Sequence, residues 1–258
     1  MSEELRRFAL DLLDETDAMV LRHLRGDLDV RTKADSTFVT QVDTDVETLI
    51  RERIGAAYPT HGVLGEEFGS DAGGSDTRWI VDPIDGTNNL VRGIPVFATL
   101  LAVEQDGELV AAAISAPALS RRWHAARGQG AAVRDLLGER PIHVSLVDQL
   151  SEAQLVTAGL RPMEAAGYAE AMAQLRTVAW RDRGFGDFWG YMLVAEGAAE
   201  VMLEVGVSLW DLAAPALIVQ EAGGRLTDFA GNATHHGPQS LATNGRLHAA
   251  VLAVLGGG

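Results

Sequence analysis

Apolar residues recur at three- and four-residue spacing over residues 3–25, at Leu5, Phe8, Ala9, Leu12, Leu13, Met19 and Leu24, which predicts an amphipathic helix closed by Gly26. A polar stretch covers residues 31–37. A second helix is expected over residues 43–58, ended by Pro59 and Gly62. Val63-Leu64 reads as a short strand before Gly65-Glu66-Glu67-Phe68-Gly69, and residues 70–77, rich in Gly, Ser and Asp, as an exposed loop. Arg78-Trp79-Ile80-Val81 is an apolar run that stops at Asp82-Pro83, so a buried strand delivers a turn there. Strands over residues 96–103, 109–115 and 122–126, separated by Asp106-Gly107 and Pro117, make a meander, with Gly128 and Gly130 at the next reversal. The second half alternates differently. Strands are expected at 142–145, 155–157, 199–203 and 225–227, and helices at 163–175, 188–195, 212–222 and 247–255. Strands interleaved with helices argue for a layered α/β or α+β architecture.

The chain has 258 residues, of which 47% are hydrophobic, enough to bury a sizeable core in one large domain or two halves. Its 36 acidic residues against 21 Lys and Arg leave a net charge of −15, which repels nucleic-acid backbones and anionic membrane surfaces at long range. Neither is an expected partner. There is no cysteine, so disulfides, thiolate zinc sites and cysteine nucleophiles are excluded. The opening Met1-Ser2-Glu3-Glu4-Leu5-Arg6-Arg7 is charged where a signal peptide needs its apolar stretch, and the longest uncharged apolar run, residues 109–120, has 12 residues, too few to span a bilayer. A soluble, cytoplasmic protein is expected. The acidic excess has two readings, a solvated surface or carboxylates that bind cations.

The most informative segment is Trp79-Ile80-Val81-Asp82-Pro83-Ile84-Asp85-Gly86-Thr87-Asn88-Asn89. A strand places Asp82 at its end and Asp85 three residues on, so both carboxylates can converge, while Gly86 and Thr87 open the next element with backbone N–H groups for an anion. Carboxylates beside a phosphate cradle need a cation between them, and hard oxygen ligands without His or Cys point to Mg²⁺. Read alone, Asp-Pro-x-Asp-Gly is an ordinary turn. Glu66-Glu67 in their glycine-flanked loop are equally an ordinary solvated pair, and Asp211 in Leu209-Trp210-Asp211-Leu212-Ala213-Ala214-Pro215 an ordinary helix N-cap.

Together, in order and spacing, the three segments resemble the inositol monophosphatase-like family of Mg²⁺-dependent phosphatases, over nearly the whole chain; Glu221-Ala222-Gly223-Gly224-Arg225 is a further hallmark. The resemblance implies a layered αβαβα sandwich, an N-terminal α+β half over residues 1–140 and a C-terminal α/β half over 141–258, with the site between them. It implies metal ligands at Glu66, Asp82, the Ile84 carbonyl, Asp85 and Asp211, with phosphate held by Gly86 and Thr87. Thr40-Gln41-Val42-Asp43 resembles the family's Thr-x-x-Asp segment, so Asp43 and Thr87 would position the attacking water, with Glu66 completing the catalytic set and Glu67 behind it. Lys33 lies where a basic residue often sits near the site. Two or three Mg²⁺ ions would neutralise the phosphoryl oxygens, activate the water and stabilise the leaving alkoxide. Family members are usually homodimers.

Arg183-Gly184-Phe185-Gly186-Asp187-Phe188-Trp189-Gly190-Tyr191, together with the Leu90 to Leu100 segment, looks like the histidinol-phosphate phosphatase branch of that family. The chemistry agrees. Histidinol phosphate carries an ammonium and an imidazole, so Asp187 beside Glu204 would meet a cation, Trp189 or Phe188 would pack on the ring, and Arg183 would lie nearby. Asp187 can instead be read as the cap of the helix beginning at Phe188. The alternatives are an inositol or sugar phosphate monoesterase of the same fold, and a metal- and phosphate-binding regulatory protein without turnover. His235-His236 reads as a loop or dimer-surface pair whose side chains point apart on an extended chain, and Trp123-His124 as strand packing.

Overall fold

The computed structural model describes residues 2–24, 30–32 and 38–256. Gly26 and Lys33 lie outside them. The chain forms two compact units, Met1–Arg140 and Pro141–Gly258.

In the first unit, α1 (Ser2–His23) and α2 (Gln41–Ala57) cover one face of a sheet. A hairpin of β1 (Val30–Thr32) and β2 (Phe38–Thr40) flanks the polar stretch, which the apolar pattern gave no reason to expect. The sheet runs through β3 (Gly62–Gly65), β4 (Gly69–Asp71), β5 (Thr77–Asp85), β6 (Ala98–Gln105), β7 (Glu108–Ala116), β8 (Arg121–Ala126), β9 (Ala131–Asp135) and β10 (Gly138–Ile142), in the order β10-β9-β8-β7-β6-β5-β3-β4. From β5 to β9 each paired neighbour is antiparallel, the expected meander; β3 lies parallel to β5. The supposed loop after Gly69 begins with β4, and the strand expected at 142–145 ends at Ile142, because β10 completes a hairpin with β9. Val42, Val46, Ile50 and Ile54 recur every fourth residue along α2 and pack with Leu5, Leu12 and Leu13 of α1 against Trp79, Val81, Leu101 and Val103. Trp123 and His124 are buried on β8, as strand packing requires.

The second unit holds β11 (Gln154–Thr157), α4 (Leu160–Ala165), α5 (Ala169–Val178), β12 (Arg181–Arg183), α6 (Asp187–Ala195), β13 (Val201–Val205), α7 (Leu209–Glu221), β14 (Arg225–Thr227), β15 (Gln239–Thr243) and α8 (His248–Leu255), following the short α3 (Thr87–Val91) of the first. Its sheet has the order β12-β11-β13-β15-β14. The helix expected over 163–175 is two helices, separated at Gly167, whose φ is +92°. Strand alternation sorts the layers. Leu155, Val201, Leu203 and Leu241 face α4, α5 and α8, whereas Met202 and Glu204 point to the opposite face, where α6 lies. Among the described residues no helix is long and apolar enough to cross a membrane.

Candidate active site

Asp82 and Asp85 are both buried on β5, which continues past the turn expected at Asp82-Pro83. In a regular strand, residues three apart point to opposite faces. Here the register with β6 shifts between Asp82 and Asp85, and Ile84 joins Trp79 and Val81 in the core under the helices. The irregularity returns Asp85 to the face that Asp82 occupies. One carboxylate oxygen of each lies within 4.8 Å of the other. Pro83 fits the break because it has no N–H to give the ladder, and its carbonyl accepts the Thr99 hydroxyl at 2.8 Å.

Directly after the bulge, Gly86 has φ +82°, and a Cβ there would stand 2.8 Å from the Val96 carbonyl oxygen, so glycine alone fits. Thr87 opens α3 with its hydroxyl 2.9 Å from the Ile84 carbonyl oxygen and 3.1 Å from Asp43 Oδ1. That hydroxyl has one proton and donates to one of them at a time. Asp43 occupies the first turn of α2 and is fully buried. Its Oδ2 accepts the Thr40 amide at 2.8 Å and the Thr40 hydroxyl at 2.5 Å, closing a capping box. Burial pushes its pKa up, opposed by the hydrogen bonds from Thr40 and Thr87.

Glu66 sits half-buried in the turn between β3 and β4. Its amide donates to the Val81 carbonyl at 3.2 Å, which ties the turn to β5 one residue before Asp82. Sequence reasoning missed what else holds this turn. Glu47, fully buried on α2, accepts the amides of Glu67 at 2.8 Å and Phe68 at 3.2 Å, and the Nε of Arg51 at 2.8 Å. Arg51 also donates to the Gly69 carbonyl at 2.5 Å. The signal was present: Asp43, Glu47 and Arg51 lie four residues apart, a polar ridge beside the apolar one.

In the second unit, Asp211 lies in the first turn of α7 and receives the Ser208 amide at 2.6 Å; Ser208 is the cap, and the helix starts at Leu209, earlier than expected. Glu204 is buried on β13. The Tyr191 hydroxyl donates to it at 2.9 Å, and the Asp187 backbone N–H also donates to it. Burial first, then the nearby charges of Asp187 and Asp211, push the Glu204 pKa up to about 8. The cap position of α6 belongs to Gly186, not to Asp187. Asp187 has φ +54°, a left-handed conformation that costs a non-glycine residue about 1 kcal/mol. Phe188 is core, only 1% exposed, so it cannot pack on a ligand ring. The aromatic beside half-buried Trp189 is Phe185, with ring centroids 5.5 Å apart and Phe185 48% exposed. Arg183 is exposed and donates to the adjacent Asp182 carbonyl at 2.7 Å. His235 and His236 stack at 4.6 Å, where an extended chain would have parted them.

A divalent cation suits the first unit's donors. Two buried carboxylates this close repel unless a positive charge stands between them, and a set of oxygens without His or Cys suits Mg²⁺.

Comparison with known proteins identifies the family. Residues 1–256 match the inositol monophosphatase family. The chain is 46% identical to a histidinol-phosphatase of Mycobacterium tuberculosis over 100% of both chains, and 44% identical to a histidinol-phosphatase of Streptomyces coelicolor over 96% of each. Among solved structures, the extragenic suppressor protein suhB from Bartonella henselae superposes with a TM-score of 0.90 at 28% identity, covering 98% of both chains. The layered α/β fold, its bulged acidic strand and the match along almost every residue make this chain a member of the inositol monophosphatase family.

Proposed function

We propose that the chain is a Mg²⁺-dependent histidinol-phosphate phosphatase, which converts histidinol phosphate and water to histidinol and phosphate in histidine biosynthesis. The observation that carries the choice of ester is the 46% identity, over the whole of both chains, to a protein of that name. Glu66, Asp82, Asp85, the Ile84 carbonyl and, from the second unit, Asp211 would hold the metal. Bound there, two or three Mg²⁺ ions would supply the positive charge that neutralises the phosphoryl dianion and the leaving alkoxide. Gly86 and Thr87 would hold the phosphate through backbone N–H groups.

The chain's own part is proton control. When the Thr87 hydroxyl donates to Asp43, its oxygen lone pairs would be left to accept a proton from the attacking water. Desolvation raises the basicity of Asp43, which favours its taking a proton through Thr87. At the other end of the ester, Glu204 and Asp187 would bind the cationic amine or imidazole, with Trp189 and Phe185 against the ring and Arg183 at the rim. A homodimer working in the cytoplasm completes the proposal.

Phosphate release from histidinol phosphate and from inositol 1-phosphate, at equal concentrations with Mg²⁺, tests it. The expected result is at least about a tenfold higher kcat/KM for histidinol phosphate, since a charged contact is worth one such factor or more. A preference for the inositol ester overturns the assignment.

A further inference from the structure

The α2 ridge joins two parts of the first unit that carry chemistry. Its first member, Asp43, holds Thr87; its second and third, Glu47 and Arg51, hold the turn that bears Glu66. We propose that Glu47 is a positioning residue of the reaction, whose carboxylate fixes the Glu66-Glu67 turn in the shape that metal binding requires. The inference rests on the reading of Glu66 as a metal ligand.

Three observations carry it. Both Glu47 oxygens are occupied by the turn or by Arg51: Oε2 by the Glu67 amide, Oε1 by the Phe68 amide and Arg51 Nε. The turn approaches so closely that a Cβ on Gly65 would lie 2.0 Å from Glu47 Oε1, so glycine at this position serves the contact. From the other side, the Glu66 amide is anchored to Val81, next to Asp82. The Glu66 backbone is thus fixed between α2 and β5, and its carboxylate is delivered without the entropy loss of ordering a free loop. Residues that orient a ligand from behind in this way typically contribute about 10–100-fold in metal affinity.

Calorimetric titration of the metal-free full chain with Mg²⁺ tests the inference, with half-saturating Mg²⁺ in the phosphatase assay as a second readout. Glu47→Ala is expected to weaken Mg²⁺ binding about 10–100-fold, with kcat at saturating Mg²⁺ within about threefold of the parent. Glu47→Gln keeps the volume but turns an NH₂ toward one of the donors, and is expected to weaken binding about tenfold. A purely structural role would lower the thermal midpoint and leave Mg²⁺ affinity alone, and that result overturns the proposal. Should Glu47→Ala fail to fold, the isosteric Glu47→Gln and Arg51→Ala decide by the same criterion. Asp82→Asn separates the two levels of argument. If it binds Mg²⁺ as tightly as the parent, the metal reading itself fails; if it loses binding while the folded Glu47 variants keep theirs, only the role of Glu47 fails.

Discussion

Asp43 in the first unit and Glu204 in the second are both buried carboxyls with raised pKa, yet they are built oppositely. Asp43 takes hydrogen bonds on both oxygens, two from Thr40 and one from Thr87. Glu204 has the Tyr191 hydroxyl and one backbone N–H, but it faces the charges of Asp187 and Asp211. A carboxyl supplied with donors by its own unit is fixed in place and can pass a proton along a set path. One surrounded by other acids gains most from a cation brought by a ligand. Burial alone distinguishes neither role; the neighbours do.

The contrast can be broken first at the reaction centre. Asp82→Asn should cost at least about two orders of magnitude in kcat with the circular dichroism spectrum unchanged, and Asp43→Asn about 10²–10⁴-fold. Full activity in either soluble variant would remove that residue from the centre. A tenfold effect is expected on the other side. Glu204→Gln should raise KM for histidinol phosphate about tenfold with kcat within about threefold, and raise KM for inositol 1-phosphate, which offers hydroxyls and no cation, by a smaller factor. Equal changes for both esters would show that Glu204 does not read charge.

Stability sharpens the comparison further. The folded chain holds the Glu204 proton more tightly than the unfolded chain, with a pKa of about 8 against 4.5, so its contribution is full below pH 4.5 and is lost as pH rises through 8. In metal-free protein, the melting point of Glu204→Gln relative to the parent should therefore climb between pH 5 and 8. A constant difference would refute the raised pKa.

The smallest effect belongs to His248, buried between the Thr227 and Thr243 hydroxyls at 3.0 and 2.9 Å. Its pKa is lowered from 6.5 to about 4, chiefly by burial. Its contribution to stability is present above pH 6.5 and disappears as pH falls toward 4. His248→Gln should flatten that acid limb of the melting curve.

Much of this was legible in the chain. The apolar spacing of α1 and α2, the meander, and the Asp82-Pro83-Ile84-Asp85-Gly86-Thr87 string are local signals, because period, proline and glycine act on the backbone where they stand. Strand β15 was not legible. Gln239-Ser240-Leu241-Ala242-Thr243 has little strand propensity of its own and becomes a strand by pairing with β13 on one side and β14 on the other. Phe188 and Phe185 could not be ranked either, since which aromatic is core depends on the face that α6 turns to its sheet.

By itself, then, the sequence determined the family, the order of most elements and the identity of the acids, through patterns a few residues long. Tertiary structure decided how those acids are used. A one-residue irregularity in β5 set Asp82 and Asp85 on one face, and helix α2 brought Glu47 against a turn some twenty residues away. Such contacts depend on chain closure over long separations, which no local preference encodes.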